Sequence, residues 1–232
     1  MTDIPAKYHP EHVNPEQLGE WMRWSLSFFS EPVLQNPYLD VTLQWDVTLA
    51  YAAYQRQKAR DNGRGTFFAF LVWHLAQTLS DHPAFNLRRI NNAWYRVHNP
   101  PIFIPVALGG PARFSEMVLE DVYRQDYPTF LDRYLEQLQA ARQPDFQQQI
   151  TSAEIQFAHF MGNLPYLRFT GLTLHWRPDQ MIGQSYFYVG QRYQQADRLL
   201  IPLAVKLHHA CTDPLVLNAV LADLGERFSL AT

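Results

Sequence analysis

The sequence predicts an α+β fold, a largely mixed β-sheet with helices packed on it, and three observations carry that prediction. Helical and strand-like segments are mixed without the regular strand–helix–strand alternation of a parallel sheet. Residues 66–79 (TFFAFLVWHLAQTL) are apolar nearly all round, as a buried helix is. Residues 38–47 (YLDVTLQWDV) alternate apolar with polar, as a strand with one buried face does.

The elements follow in order. Residues 1–13 read as an extended arm. Asn14-Pro15 fits a cap followed by proline at the first helical position. It opens a predicted helix (PEQLGEWMRWSLSFF) with Leu18, Trp21, Leu26 and Phe29 among its apolar positions and Arg23 on its middle turn. After the strand 38–47, residues 48–62 read as a short helix ending at the turn signal Asn62-Gly63. The buried helix then ends at His82-Pro83. Residues 94–97 and 102–108 read as strands split by Asn99-Pro100-Pro101, with Gly109-Gly110-Pro111 as a loop. Ser115 and Glu116 are read as opening a helical region to about Arg142, interrupted by Pro128. Residues 143–150 are a polar connection. Gly162-Asn163-Leu164-Pro165 is read as a loop, followed by strands at 166–176, 185–190 and 199–209. A last helix, 214–228, aligns Leu217, Val220, Leu221, Leu224 and Phe228 on one face.

Composition bounds the function. The chain has 232 residues, the size of one large domain, with 47% hydrophobic and 14% aromatic residues, enough for a large core and for a ring-lined pocket. The net charge of −3 and the lack of a basic run argue against nucleic acid. No apolar stretch is long enough to span a membrane, and the polar, proline-bearing N-terminus lacks a secretory core, so no membrane partner is expected. The single cysteine, Cys211, forbids an internal disulfide and fits a cytoplasmic setting.

The chemically informative stretch is LLIPLAVKLHHACTDPLVL, residues 199–217. On a strand, Leu203, Val205, Leu207 and His209 share one face, whereas Ala204, Lys206 and His208 share the other. Adjacent histidines that point opposite ways do not chelate one ion, so no metal is expected. An imidazole at the end of an apolar strand suits general base work, because burial favours its neutral form. A satisfied core histidine is the plain alternative. Asp213-Pro214 reads as an N-cap with proline at the first helical position. Cys211 is read as a small buried thiol and His74 as a hydrogen-bonded core residue; His98 and His159 are scattered.

The segment HHACTDP resembles the HHAxxDG signature of the chloramphenicol acetyltransferase family. The resemblance extends in order along nearly the whole chain. EWMRWSLSFF is similar to the family's N-terminal W-x-R helix, LDVTLQWDVT to its next strand, and TFFAFLVWHLAQTLSDHPAFNLR to its buried helix with H-P-x-F. GNLPYLRFTGL is similar to the S-x-x-P-W region, and FYVGQRY to the strand before the histidine. The resemblance implies a single acyltransferase-like domain over residues 1–232, a homotrimer with active sites between subunits, and direct transfer from acetyl-CoA or another acyl-CoA to a small-molecule hydroxyl acceptor. It implies His209 as general base, and an Asp213–Arg23 pair that orders the loop after the base.

The chain departs from the family pattern at the reacting centre. The motif's glycine is Pro214. The oxyanion serine aligns with Gly162, or with Asn163 if the gap shifts by one; a backbone N–H, the Asn163 amide or a water then has to serve as donor. The threonine that holds a water aligns with Tyr188, whose hydroxyl donates or whose ring fills the pocket. The family lysine that follows is Gln191, with Arg192 next to it, so CoA contacts are expected to differ. Four readings stay open: chloramphenicol O-acetylation, acyl transfer to another alcohol or amine in specialised metabolism, a trimeric binding protein without turnover, and the acyltransferase core of 2-oxo acid dehydrogenases. The sequence has no lipoyl domain or linker, which points away from the last.

Overall fold

The computed structural model describes residues 4–30, 36–110, 113–143, 146, 151–175 and 183–230. Six α-helices are described: α1 (Glu20–Phe28), α2 (Thr48–Arg60), α3 (Phe67–Ser80), α4 (Tyr127–Ala141), α5 (Ser152–Ile155) and α6 (Pro214–Leu230). The strands are β1 (Pro10–Val13), β2 (Tyr38–Asp46), β3 (Leu87–Ile90), β4 (Ala93–Val97), β5 (Ile102–Gly109), β6 (Arg113–Leu119), β7 (His159–Asn163), β8 (Tyr186–Val189), β9 (Tyr193–Gln195) and β10 (Arg198–His208).

A seven-stranded sheet runs in the order β2-β10-β8-β7-β5-β6, with β9 also on β10. Its β5–β7 and β7–β8 pairs are parallel and the others antiparallel. This is the mixed sheet the sequence predicts. A second sheet, β1-β4-β3, ties in the N-terminal arm, so that β1 is a paired strand.

The main core lies between the seven-stranded sheet and α2, α3, α4 and α6. Phe70, Val72 and Leu79 of α3 meet Leu203, Val205 and Leu207 of β10 and Leu217, Val220, Leu224 and Phe228 of α6 there. Helix α3 is buried on nearly every side, and Thr66 caps it by accepting from the Ala69 N–H at 3.1 Å. His74 is a core residue as expected, but rings hold it: its centroid lies 4.3 Å from Phe70 and 5.0 Å from Phe228. Burial pushes its pKa down to about 4.

Four local expectations are corrected. Residues 115–119 belong to strand β6 rather than a helix, because Met117 and Leu119 point into the core opposite Ile104 and Ile102 of β5. Pro128 lies in the first turn of α4 instead of interrupting it, after Asp126 accepts from the Thr129 N–H at 2.9 Å. The first predicted helix is split: Asn14 caps a single 3-10 turn, and α1 starts only after Gly19. Gly162 and Asn163 end strand β7, while 164–175 form no strand. That segment instead lies along the β2 edge, where the Gln44 amide donates to the Phe169 carbonyl at 3.1 Å. Trp176 and most of 143–150 lie outside the described residues.

Candidate active site

Strand β10 carries the candidate base to its place. It is paired on both sides, to β2 and β8, and nearly all of it is buried. The strand ends at His208, one residue before the candidate base. His208 is 1% exposed and packs edge-on against Tyr38 at 5.0 Å. Burial first, then the neighbouring His209 and Arg88, pushes its pKa down to about 3, so it stays neutral. Its Nδ1 accepts from the Ala210 N–H at 3.3 Å, and its carbonyl accepts from the Cys211 and Thr212 N–H groups, which turns the chain toward α6.

His209 is partly exposed and pinned through its backbone. Its N–H donates to the Pro37 carbonyl at 2.8 Å, and its carbonyl accepts from the Ser25 hydroxyl at 3.1 Å. The imidazole lies against Phe29, centroids 4.1 Å apart. Nδ1 is buried with no hydrogen-bond partner among the described residues.

Arg23 and Asp213 are not brought together. Arg23 pairs with Glu16 at 3.3 Å on the surface, and the Asp213 carboxylate accepts from the Leu215 and Val216 N–H groups at 2.7 and 2.9 Å. Among the described residues the pair expected from the resemblance is absent, and the N-cap reading of Asp213 is what the geometry supports. Another residue of α1 holds the loop. Ser25, 2% exposed, donates to the carbonyls of both His209 and Ala210, the second at 2.8 Å. The sequence signal for it was only a small polar residue on the buried side of α1. Asp213→Ala is expected to cost about 1 kcal/mol, the usual loss for a cap, and to leave the rest of the fold intact by circular dichroism.

Cys211 is 3% exposed and burial raises its thiol pKa to about 12, which leaves no nucleophilic thiolate. The buried-thiol reading fits this geometry.

Gly162 and Tyr188 face each other across the parallel β7–β8 pair. The Tyr188 ring lies over the glycine so closely that a Cβ there would sit 2.1 Å from Cε1 and 2.2 Å from Cδ1. Asn163 points to another place. With Phe67, Pro165, Gln191 and Arg192 it lines a surface cleft of about 310 Å³ at the N-terminal end of α3. There the Arg192 guanidinium lies 4.1 Å above the Tyr51 ring. One guanidinium and two amides beside aromatic rings suit a phosphate-bearing ligand with a planar base. Among the described residues no group of His, Cys, Asp or Glu is arranged to hold a metal, and no helix is long and apolar enough to cross a membrane.

Comparison with known proteins shows the family of the chain. The chain is similar to a chloramphenicol acetyltransferase of Streptomyces acrimycini, 29% identical over 174 residues and covering 75% of each chain. It is similar to one of a Klebsiella species, 24% identical over 212 residues and 90% of each. A solved chloramphenicol acetyltransferase shares the fold with a TM-score of 0.77 at 19% identity, covering 94% of this chain and 99% of that one. The cubic core of the pyruvate dehydrogenase multienzyme complex shares it with a TM-score of 0.65 at 18% identity, over 94% and 90%. The family model described as chloramphenicol acetyltransferase matches residues 18–224, from the start of the α1 region to the middle of α6. The chain belongs to the chloramphenicol acetyltransferase family of acyltransferases.

Proposed function

We propose that this acyltransferase moves an acetyl or other acyl group from coenzyme A to a hydroxyl acceptor, with His209 as general base, inside a cytoplasmic homotrimer. The observation that carries the reading is the partly exposed His209 ring, pinned at the end of β10 with Nδ1 closed off. The base role places the ring proton on Nδ1 and the lone pair on Nε2. Nε2 takes the acceptor's O–H proton while the oxygen attacks the thioester carbonyl carbon. The tetrahedral adduct collapses, the C–S bond breaks, and the departing thiolate takes the proton back from the imidazolium. No acyl-enzyme forms.

Assembly with another copy is supported by a distance along one strand. The cleft of Gln191 and Arg192 also includes Ile201, near the start of β10, and His209 follows its far end. Eight residues of strand separate them, about 26 Å. With the far end of the donor in this cleft, a base supplied by another copy, as at the subunit interfaces the resemblance implies, is the arrangement we propose. In sedimentation, a single species of three times the 27.1 kDa chain mass is expected.

Chloramphenicol is the first acceptor to test, because the relatives are chloramphenicol acetyltransferases. Thiol release from acetyl-CoA in the presence of chloramphenicol supports that acceptor. Release only with other alcohols or amines moves the enzyme to a different metabolic acceptor, a reading favoured by the Gly162 departure. Tight binding with no release across the panel supports a binding protein and overturns the proposal. Arg192→Ala is expected to raise the KM for acetyl-CoA about tenfold, as loss of one charged hydrogen bond does, with kcat little changed.

A further inference from the structure

Three groups near the end of β7 are candidates for the hydrogen-bond donor that Gly162 itself does not supply, and their geometry separates them. Asn163 follows Gly162 on the strand and so points to the opposite side, into the Arg192 cleft. Lys206 is on the Tyr188 side of the sheet, but its ammonium is 4% exposed and closed on Asp40, at 2.8 and 2.9 Å from the two carboxylate oxygens. Tyr188 is different. It opposes Ala204 in β10, is partly exposed, and lines a small cavity with Leu172, Leu174 and Lys206. Its hydroxyl makes no hydrogen bond to any described residue, whereas the Tyr186 hydroxyl donates to Gln184 at 3.0 Å. Burial raises the Tyr188 pKa, which keeps the proton on the phenol.

The contact between Tyr188 and Gly162 supplies the rest. The ring edge from Cδ1 through Cε1 to Cζ passes over the point where a Cβ at position 162 would stand, at 2.2, 2.1 and 2.8 Å. Two consequences follow. A side chain at 162 and this orientation of Tyr188 exclude each other. The hydroxyl on Cζ is carried to the neighbourhood that a serine hydroxyl on β7 would serve.

We propose that Gly162 and Tyr188 are one catalytic unit, in which the glycine makes room for the ring and the Tyr188 hydroxyl donates a hydrogen bond to the thioester carbonyl oxygen as that oxygen becomes negative. The proposal rests on the acyl-transfer reading above. Tyr188 keeps its proton throughout: it stabilises the tetrahedral adduct, and His209 alone moves protons. The glycine and the tyrosine are thus one compensated change at the reacting centre.

The test is a double-mutant cycle in the full-length chain, read by thiol release from acetyl-CoA with the best acceptor found and by thermal melting. Tyr188→Phe removes only the hydroxyl. It is expected to lower kcat about 100- to 1,000-fold, the usual loss of one such donor, with little change in KM and an unchanged melting temperature. Gly162→Ser alone is expected to lower both kcat and the melting temperature, because its Cβ displaces the ring. Gly162→Ser with Tyr188→Thr is expected to be more stable and more active than Gly162→Ser alone. Wild-type kcat in Tyr188→Phe overturns the donor role, and wild-type stability and activity in Gly162→Ser overturn the coupling. His209→Ala, measured beside them, keeps the two proposals apart. If it is inactive while Tyr188→Phe is unaffected, only the Tyr188 role fails. If it keeps full activity, the general-base reading fails. A wild type that releases no thiol with any acceptor overturns the donor role and the transfer reading together.

Discussion

His209→Ala is expected to lower kcat by about 100- to 10,000-fold, the range contributed by a positioned general base, while acetyl-CoA still binds. The reasoning starts from where the ring sits. Its backbone is held at both ends, by the Pro37 carbonyl and by Ser25, so truncation at Cβ leaves the turn in place. The ring's main contact is with Phe29 at 4.1 Å, and part of it is open to solvent. The variant should therefore fold and assemble as the wild type does, and the loss should fall on kcat and kcat/KM equally. His209→Gln, which keeps polar bulk but accepts no proton at neutral pH, should be nearly as inactive. Activity within a few-fold of wild type in either variant would remove His209 from the chemistry.

Arg88→Met is expected to be the most damaging substitution away from the site. Arg88 is 0% exposed and pairs with no carboxylate among the described residues. Its guanidinium donates to four main-chain carbonyls: Phe85 at 2.9 Å, Leu87 at 2.8 Å, Gly183 at 3.0 Å and Phe157 at 3.1 Å. Burial lowers its pKa to about 10, still well above neutrality, so the charge is kept. These carbonyls belong to three stretches of chain: the start of β3, the residues after α5, and the segment before β8. The last of these can approach only because position 183 is glycine. It has φ +97°, and a Cβ there would stand 2.2 Å from the Leu87 carbonyl oxygen. Methionine fills most of the volume and donates nothing. Each buried acceptor left without a donor costs about 1–3 kcal/mol, and some will recover water, so a net loss of roughly 3–5 kcal/mol is expected. At about 2–4 °C per kcal/mol for a chain this size, melting should fall by about 6–20 °C. A fall of only one or two degrees would mean that water reaches these carbonyls easily.

Much of this architecture was legible where periodicity is unbroken. Strand 38–46, helix α3 and the apolar stripe of α6 each carry one clean pattern, and each forms close to where it was expected. The failures have physical causes. Ser115-Glu116 mimics a helix start, but the strand at Met117 and Leu119 depends on β5 beside it, which the local sequence does not carry. Residues 166–175 join no strand ladder, and Tyr166 is 89% exposed. At the site, the histidine stretch showed which ring to watch, and the resemblance supplied its role. It did not show that Ser25 rather than Arg23 reaches the loop. Nor did it show the seat of Tyr188 on Gly162, a relation between residues 26 apart that exists only once β7 and β8 lie in register.

Strand β10 is covered on both faces and bonded along both edges, and His209 follows its last residue. To loosen His209 from below, the middle of the sheet has to come apart. Amide protons at residues 200–208 should thus exchange with deuterium only through whole-molecule opening. Those of 166–172, which mostly lie outside any ladder, should exchange far sooner. The molecule therefore combines a nearly immobile reacting end with a surface segment that can yield, and substrates can come and go without disturbing the rail on which the imidazole stands.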